Sequence, residues 1–365
     1  MTSPLLSRPG AVAAGGPDAG VAFHYGQPAQ EQRALEQGRG VVDLSHLGVV
    51  TVTGPDRLSW LNTLSTQLLL DLAPGQSGEL LLLDPNGRIE HAAAVADDGE
   101  RAWLVTEAGH VAGLVAFLDK MRFMLRVEVA DVTERTAVVG TYGDGWRVVA
   151  DAPGHVLTWH DPWPTTAPGG TSYGPPDAEH PGRDLHPSLG LVDRARLAEV
   201  VDGSGLRLAG TWAWEALRVE AWRPRLGREV DERAIPHELD WLRTGVHLDK
   251  GCYRGQETVA RVYNLGRPPR RLVMLHLDGS EHLTPDPGTR VLHGERDVGM
   301  VTTVVRHAEL GPVALALVKR SLAEDAELTV DGIAAAQEVI VPAAGEAVGR
   351  PEVRPGQELR RRPRA

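Results

Sequence analysis

VVTVTGPDRLSWLNTLSTQ (49–67), ELLLLD (79–84), RIEHAAAV (88–95) and AWLVT (102–106) decide the fold. VVTVTG reads as a strand, and Pro55 with Asp56 then opens a helix at its first turn, where the missing N–H of proline costs nothing. Leu58, Leu61, Leu64 and Leu68 form its apolar stripe. The next two runs are strands joined as a hairpin by Pro85, Asn86 and Gly87, residues that suit tight turns. Val111, Leu114, Val115, Leu118 and Met121 then recur at helical spacing. This order predicts an α+β unit over 49–142 with a mostly antiparallel sheet.

Working outward, TWAWEALRVEAW (211–222) reads as a buried helix and HELDWLR (237–243) as a shorter one. From Arg271 the chain changes to short strands with turns: RLVMLHLDG, TRVLHG, DVGMVTTVVRH, VALALVK, AELTV and QEVIVP. That spacing predicts a separate small β-barrel or sandwich over 265–341. Residues 1–20 are rich in Pro and Gly without periodicity and are expected to be a disordered tail. The breaker-dense stretch 161–187 is expected to be a mobile insert in the α+β region 21–264, and 342–365, closing on RRRPRA, a disordered basic tail.

The 365 residues carry 38 Lys and Arg against 49 Asp and Glu, a net charge of −11, which argues against nucleic acid or an anionic membrane as partner. No apolar run approaches a membrane span, and no signal peptide is read. One cysteine, Cys252, excludes an internal disulfide, and a reducing cytoplasm is the expected setting.

The densest chemistry is KGCYRGQE: Lys250, Gly251, Cys252, Tyr253, Arg254, Gly255, Gln256 and Glu257. Only three lysines occur (Lys120, Lys250, Lys319), and one lies two residues from the single thiol. Lys250 and Arg254 would favour the thiolate, and the glycines would let backbone amides approach a ligand. The competing reading is a small buried cysteine with a solvated charged face. His237, His247 and Glu257 stand near, but no spacing resembles a closed metal site, and no metal is expected.

KGCYRGQE resembles the diagnostic motif of the YgfZ family, folate-binding proteins related to the glycine-cleavage T-protein that help iron-sulfur enzymes acquire or keep their clusters. The resemblance runs from about residue 22 to 340, through VVDLSHLGVVTVTGPDRLSWLNTLSTQ (41–67), LRVEAWRPRLGREV (217–230), IPHELDWL (235–242) and DVGMVTTVVRHAELGPVALALVKR (297–320). It implies a T-protein-like ring of three subdomains: two intertwined α+β units with antiparallel sheets, one of them about 49–130, and a C-terminal barrel. It also implies a tetrahydrofolate pocket in which Glu238 faces the pterin. Arg218 and Glu220 are candidate ligand contacts, and Arg270 and Arg271 could receive the glutamate tail.

Aminomethyltransferases of this kind carry an Asp-Asp pair after the hairpin, where this chain has His91 and Ala92, and Leu68 stands where relatives often have Asp. Losing a placed acid or base typically costs 10²- to 10⁴-fold in rate. Glu90 and His91 would point to opposite faces of their strand, so at most one of them could substitute. The expectation is therefore a tetrahydrofolate-binding accessory protein for iron-sulfur cluster assembly or repair, with Cys252 as its working thiolate, Lys250 beside it, and iron-sulfur client or assembly proteins as partners. A conventional enzyme is not expected. The alternatives are a folate-dependent aminomethyltransferase and a folate-sensing module without chemistry.

Overall fold

Ser77–Leu83 and Ile89–Asp97 pair antiparallel as the expected hairpin, and Arg101–Thr106, Gly48–Thr53 and Glu128–Asp131 extend it into a five-stranded antiparallel sheet. The computed structural model, which describes residues 2–280 and 283–350, packs the rest of the chain around this sheet. The hairpin turn closes because Asp84 Oδ1 accepts from the backbone N–H of Asn86 (2.7 Å) and of Arg88 (2.8 Å). Alternation sends Ala93 and Val95 to a core beneath the helices Arg57–Leu64 and Val111–Met121, with Leu61, Leu114 and Leu118. Ala92, Ala94 and Ala96 face the other way, where their small side chains let the other subdomains approach.

A second five-stranded sheet runs in the order His155–His160, Pro187–Asp193, Thr136–Tyr142, Gly40–Asp43 and Arg207–Ala209, with only the last pair parallel. It meets the first sheet through a core in which Val138, Leu189 and Trp159 pack with Ala96, Trp103 and Val105. Arg270–Leu277, Gly311–Lys319, Arg296–His307, Arg290–His293, Leu328–Val330 and Ile333–Val339 close into a six-stranded barrel, which leaves no open sheet edge. The barrel residues Met274 and Leu315 join Leu81 and Leu83 of the first sheet in a further core. Helix Thr211–Glu220 reaches the barrel through Arg218 Nη2, which donates to Thr303 Oγ1 at 3.0 Å. Each subdomain therefore touches the other two, and the α+β bodies with their C-terminal barrel form the T-protein-like arrangement expected from the sequence.

Several local expectations are corrected. The start of the chain is not a loose tail: Leu5 is fully buried, Ser3 bonds Asp43, and Asp18 pairs with Arg225 (2.7 Å) and Arg228 (2.9 Å). Composition does not register a segment ordered by a few buried anchors. The 161–187 stretch is packed as well. Trp163 and Tyr173 are buried, and Arg243, itself fully buried, donates to Pro175 O (2.8 Å) and Asp177 (2.6 Å). Helix Arg57–Leu64 stops before Leu68, because Ser65 turns extended and Thr66 N–H bonds Leu81 O at 3.0 Å. The short helix expected at 237–243 is a 3-10 turn, Pro236–Leu239, broken by the left-handed Asp240 (φ +54) before a single turn at Leu242–Gly245. Of the expected basic tail, residues up to 350 dock on the insert through Val348, whose N–H bonds Ser172 O at 2.8 Å. Residues 351–365 lie outside the described residues.

Candidate functional site

Lys250–Glu257 forms a loop that runs into the first turn of helix Gln256–Asn264, and on it Cys252 is an exposed free thiol. Its neighbours are fixed. The buried Lys250 ammonium donates to the carbonyls of Asn62, Ser65 (2.6 Å) and Gln67 (2.9 Å), clamping the chain that leaves helix Arg57–Leu64. Burial lowers its pKa to about 8. Tyr253 is buried in the core beneath the loop, its ring centroid 5.4 Å from Lys250 Nζ. Arg254 donates to Glu90 at 2.7 Å and lies 6.0 Å from the Phe117 ring. Gly255 has φ +84, and a Cβ there would sit 2.6 Å from Asp84 O, so glycine is what lets the helix start dock on the hairpin tip. Gly251 has nothing within 4 Å of its would-be Cβ. Gln256 is partly exposed in the first helical turn, and Glu257 pairs with Arg261 on the surface at 2.7 Å.

This corrects the role expected of the two cations. Lys250 is a structural clamp bound to three carbonyls, and Arg254 is paired with a carboxylate. Neither charge is left for the thiol alone.

The expected folate ligands are also engaged. Glu238 is fully buried and accepts from the Arg270 side chain (2.9 and 2.8 Å), from Arg270 N–H (3.1 Å) and from Ile235 N–H (3.3 Å). It caps its own 3-10 turn and fastens the barrel to it, and a carboxylate so saturated does not face a pterin. Arg270 is shared between Glu238 and Asp231. Arg218 donates to Glu215, Glu229, Thr303 and the Arg223 carbonyl, and these partners raise its pKa against burial. Glu220 accepts from or shares a proton with His307 at 3.0 Å. Arg271 is buried in the barrel and donates to Leu322 O (3.1 Å) and Gln337 (2.7 Å). Glu238, Arg270, Arg218 and Glu220 hold the subdomains together, and Arg271 ties the barrel to itself.

What the motifs did not reveal is an aromatic cleft of about 150 Å³ between the two sheets and helix Thr211–Glu220. Tyr142, Trp159, Trp163 and Trp214 supply its rings, and Asp18, Glu107, Asp161, Arg218, Arg223 and Arg225 its charges. Arg223 lies between the rings of Trp163 (5.3 Å) and Trp241 (5.6 Å) and pairs with Glu79 and Asp161. With one guanidinium between two carboxylates, burial raises the Asp161 pKa to about 6. Two polar atoms of lining residues, His46 Nδ1 and Thr211 Oγ1, are buried without a partner. The available signal was composition: nine Trp against three Phe. No residue of 250–257 lines this cleft. A second groove, of about 660 Å³, runs beside the motif and is lined by Asp84, Arg88, Glu90, His91, His110 and Glu232 among others. Among the described residues, no three His, Cys, Asp or Glu side chains are grouped to hold a metal ion. No described helix is long and apolar enough to cross a membrane.

Residues 19–149 match the GCVT N-terminal domain, and residues 270–344 match the CAF17 C-terminal beta-barrel domain. A GCVT-type domain joined to a CAF17-type barrel is the CAF17/YgfZ-like arrangement. Among curated proteins it is 28% identical over 307 residues to a chloroplastic Arabidopsis thaliana protein named for transferase activity, covering 78% of this chain and 66% of that one, just under two thirds. It is also 28% identical over 301 residues to the aminomethyltransferase of Symbiobacterium thermophilum, covering 76% and 78%. Among solved structures, the glycine cleavage system aminomethyltransferase T of Bartonella henselae superimposes with a TM-score of 0.73 at 19% identity, over 93% of this chain and 96% of that one, which establishes the fold.

Within this CAF17/YgfZ-like chain, neither residue that could have replaced the missing aspartates reaches the aromatic cleft. Glu90 is paired with Arg254. His91 lies on the helix side of the sheet, 5.9 Å from Phe117 and 6.4 Å from His110, and burial lowers its pKa to about 4, which leaves it neutral at pH 7. Ala92 is buried in the core.

Proposed function

We propose that this protein binds a reduced folate in the aromatic cleft and serves the assembly or repair of iron-sulfur proteins through Cys252. The observation that carries the reading is the thiol's setting: the only cysteine is exposed on a loop immobilised by Lys250, Tyr253, Arg254 and Gly255, in a CAF17/YgfZ-like chain. A reactive group held on a rigid support suits work on a partner molecule, and a cluster or sulfur species would be its cargo. A reducing compartment, the cytoplasm, suits a single exposed thiol.

The cleft fits the folate ring system. Its volume suits a flat bicyclic ring and leaves the tail outside. Trp159, Trp163 and Trp214 offer faces for stacking, and His46 Nδ1 and Thr211 Oγ1 offer polar contacts that are otherwise unmet. Bound tetrahydrofolate would supply a reduced pteridine able to carry one carbon. The residues bind it, orient it and exclude water. The aminomethyltransferase alternative lacks its acid, since Ala92 is apolar and His91 faces away.

Two measurements test the reading. Thr211→Val should weaken tetrahydrofolate binding in calorimetry roughly 5- to 10-fold, the worth of one hydrogen bond. Unchanged affinity would remove the cleft as the site. In a strain lacking the protein, Cys252→Ala should fail to restore iron-sulfur enzyme activity, and full restoration would end the thiol's role.

A further inference from the structure

Helix Val111–Met121 ends in a displayed apolar tip. Phe123 is 89% exposed and Met124 84% exposed, with Met121 and Leu125 beside them also exposed. Phe123 holds φ +44, the left-handed region that an aromatic residue rarely adopts. The base is pinned. Trp60 Nε1 donates to Met121 O at 3.3 Å, and Arg126 donates to Asp56 through its backbone (2.9 Å) and guanidinium (3.0 and 2.7 Å). A strained turn on a fixed base, presenting two large apolar side chains to water, lowers the stability of the isolated chain, which points to a contact elsewhere.

The tip ends the helix whose Phe117 lies beside the motif. Phe117, one turn and about 6 Å before Met121 along the helix, is the ring beside Arg254 of the motif. Around the stripe of Phe117, Met121, Phe123 and Met124 stand Arg122, Arg126 and Arg254, ion-paired with Asp119, Asp56 and Glu90, and Lys120, which leaves one cation in excess on a chain of net charge −11. Phe, Met and Arg are the side chains enriched at the centres of protein interfaces. The overall negative charge opposes an anionic lipid surface.

Resting on the thiol reading above, we propose that the Met121–Leu125 tip is the docking site for the protein on which Cys252 acts, a partner with an apolar pocket rimmed by carboxylates. Gripping the tip brings the partner over the motif loop. The test compares wild type, Cys252→Ala and the double variant Phe123→Asp, Met124→Asp in the strain lacking the protein, with iron-sulfur enzyme activity as readout. The double variant should retain tetrahydrofolate affinity and the alkylation rate of Cys252 but support at least tenfold less activity. A double variant that restores activity fully overturns the docking site, whatever Cys252→Ala does. Full restoration by Cys252→Ala instead overturns the thiol reading. Two further results would overturn the proposed partner class. One is wild-type protein that sediments with phosphatidylserine vesicles through the tip. The other is wild-type protein that dimerises through it in size-exclusion chromatography with light scattering.

Discussion

Gly251 and Gly255 stand four residues apart in one motif and are expected to respond to substitution in opposite ways. Alanine at 255 must adopt φ +84 and push its Cβ against the Asp84 carbonyl, at a cost of about 2–3 kcal/mol. Alanine at 251 meets nothing and should stay within about 0.5 kcal/mol of wild type. Urea unfolding of the two variants checks this. The motif's glycines therefore have different reasons: one shapes the contact with the hairpin, the other leaves the approach to the thiol open. Glu238 makes the complementary case. Glu238→Gln replaces one of Arg270's two carboxylate partners with a neutral amide, Asp231 remaining, and should cost about 2–3 kcal/mol while tetrahydrofolate affinity is unchanged. A large loss of affinity with intact stability would return Glu238 to the pocket.

At the scale of elements, the opening segment behaves as a strap. Asp18 is the shared anion of Arg228 and of Arg225, which also pairs with Glu107 and Glu215; against burial, the hydrogen bond with His46 and the Arg225 guanidinium hold the Asp18 carboxyl well below the usual range. Asp18→Asn should cost about 3 kcal/mol in denaturant unfolding, the size expected when one partner of a buried pair is removed, and a change below about 0.5 kcal/mol would show the strap to be incidental. This strap was illegible in the sequence for a definable reason. Strands and helices announce themselves through their side-chain pattern, a continuous apolar run where both faces are buried, as at Leu80–Leu83 and Ala92–Val95, and a repeat at helical spacing where one face is, as at Leu114 and Leu118. A segment held by Ser3, Leu5 and Asp18 leaves none. The same holds for 161–187, where the ordering partner, Arg243, is more than fifty residues away in the sequence. Site legibility divided along the same line. The exposed thiol on its motif was readable because the chemistry is contiguous. The aromatic cleft was not, because Tyr142, Trp159, Thr211 and His46 meet only through the packing of two sheets.

For the whole molecule, three neutral histidines mark three separate joints. His91 lies between sheet and helix, with pKa lowered to about 4. His180 packs edge-on against Trp163 and Trp222, with pKa lowered to about 3. His237 sits under helix Gln256–Asn264, its Nε2 3.1 Å from Val259 O, with pKa lowered to about 4. Burial is the main cause in each. Unfolded histidines titrate near 6.5, so above that pH both states are neutral and the three groups contribute no pH dependence. Between 6.5 and 4 the unfolded chain binds protons that the folded chain excludes, and stability is lost as pH falls. Asp161, raised to about 6, works in the opposite direction, since its folded carboxyl takes up a proton that the unfolded one still refuses. These three groups against that one leave a net uptake of about two protons on unfolding near pH 5, or roughly 2.7 kcal/mol per pH unit. Urea midpoints between pH 7 and 4.5 should therefore be flat at first and then fall steeply below 6.5. In His237→Asn the slope near pH 5 should drop by about half whatever the variant's stability at pH 7. A slope left unchanged would mean that His237 opens to water before the molecule unfolds, and that the joint beneath the helix after the thiol loop is looser than its packing implies.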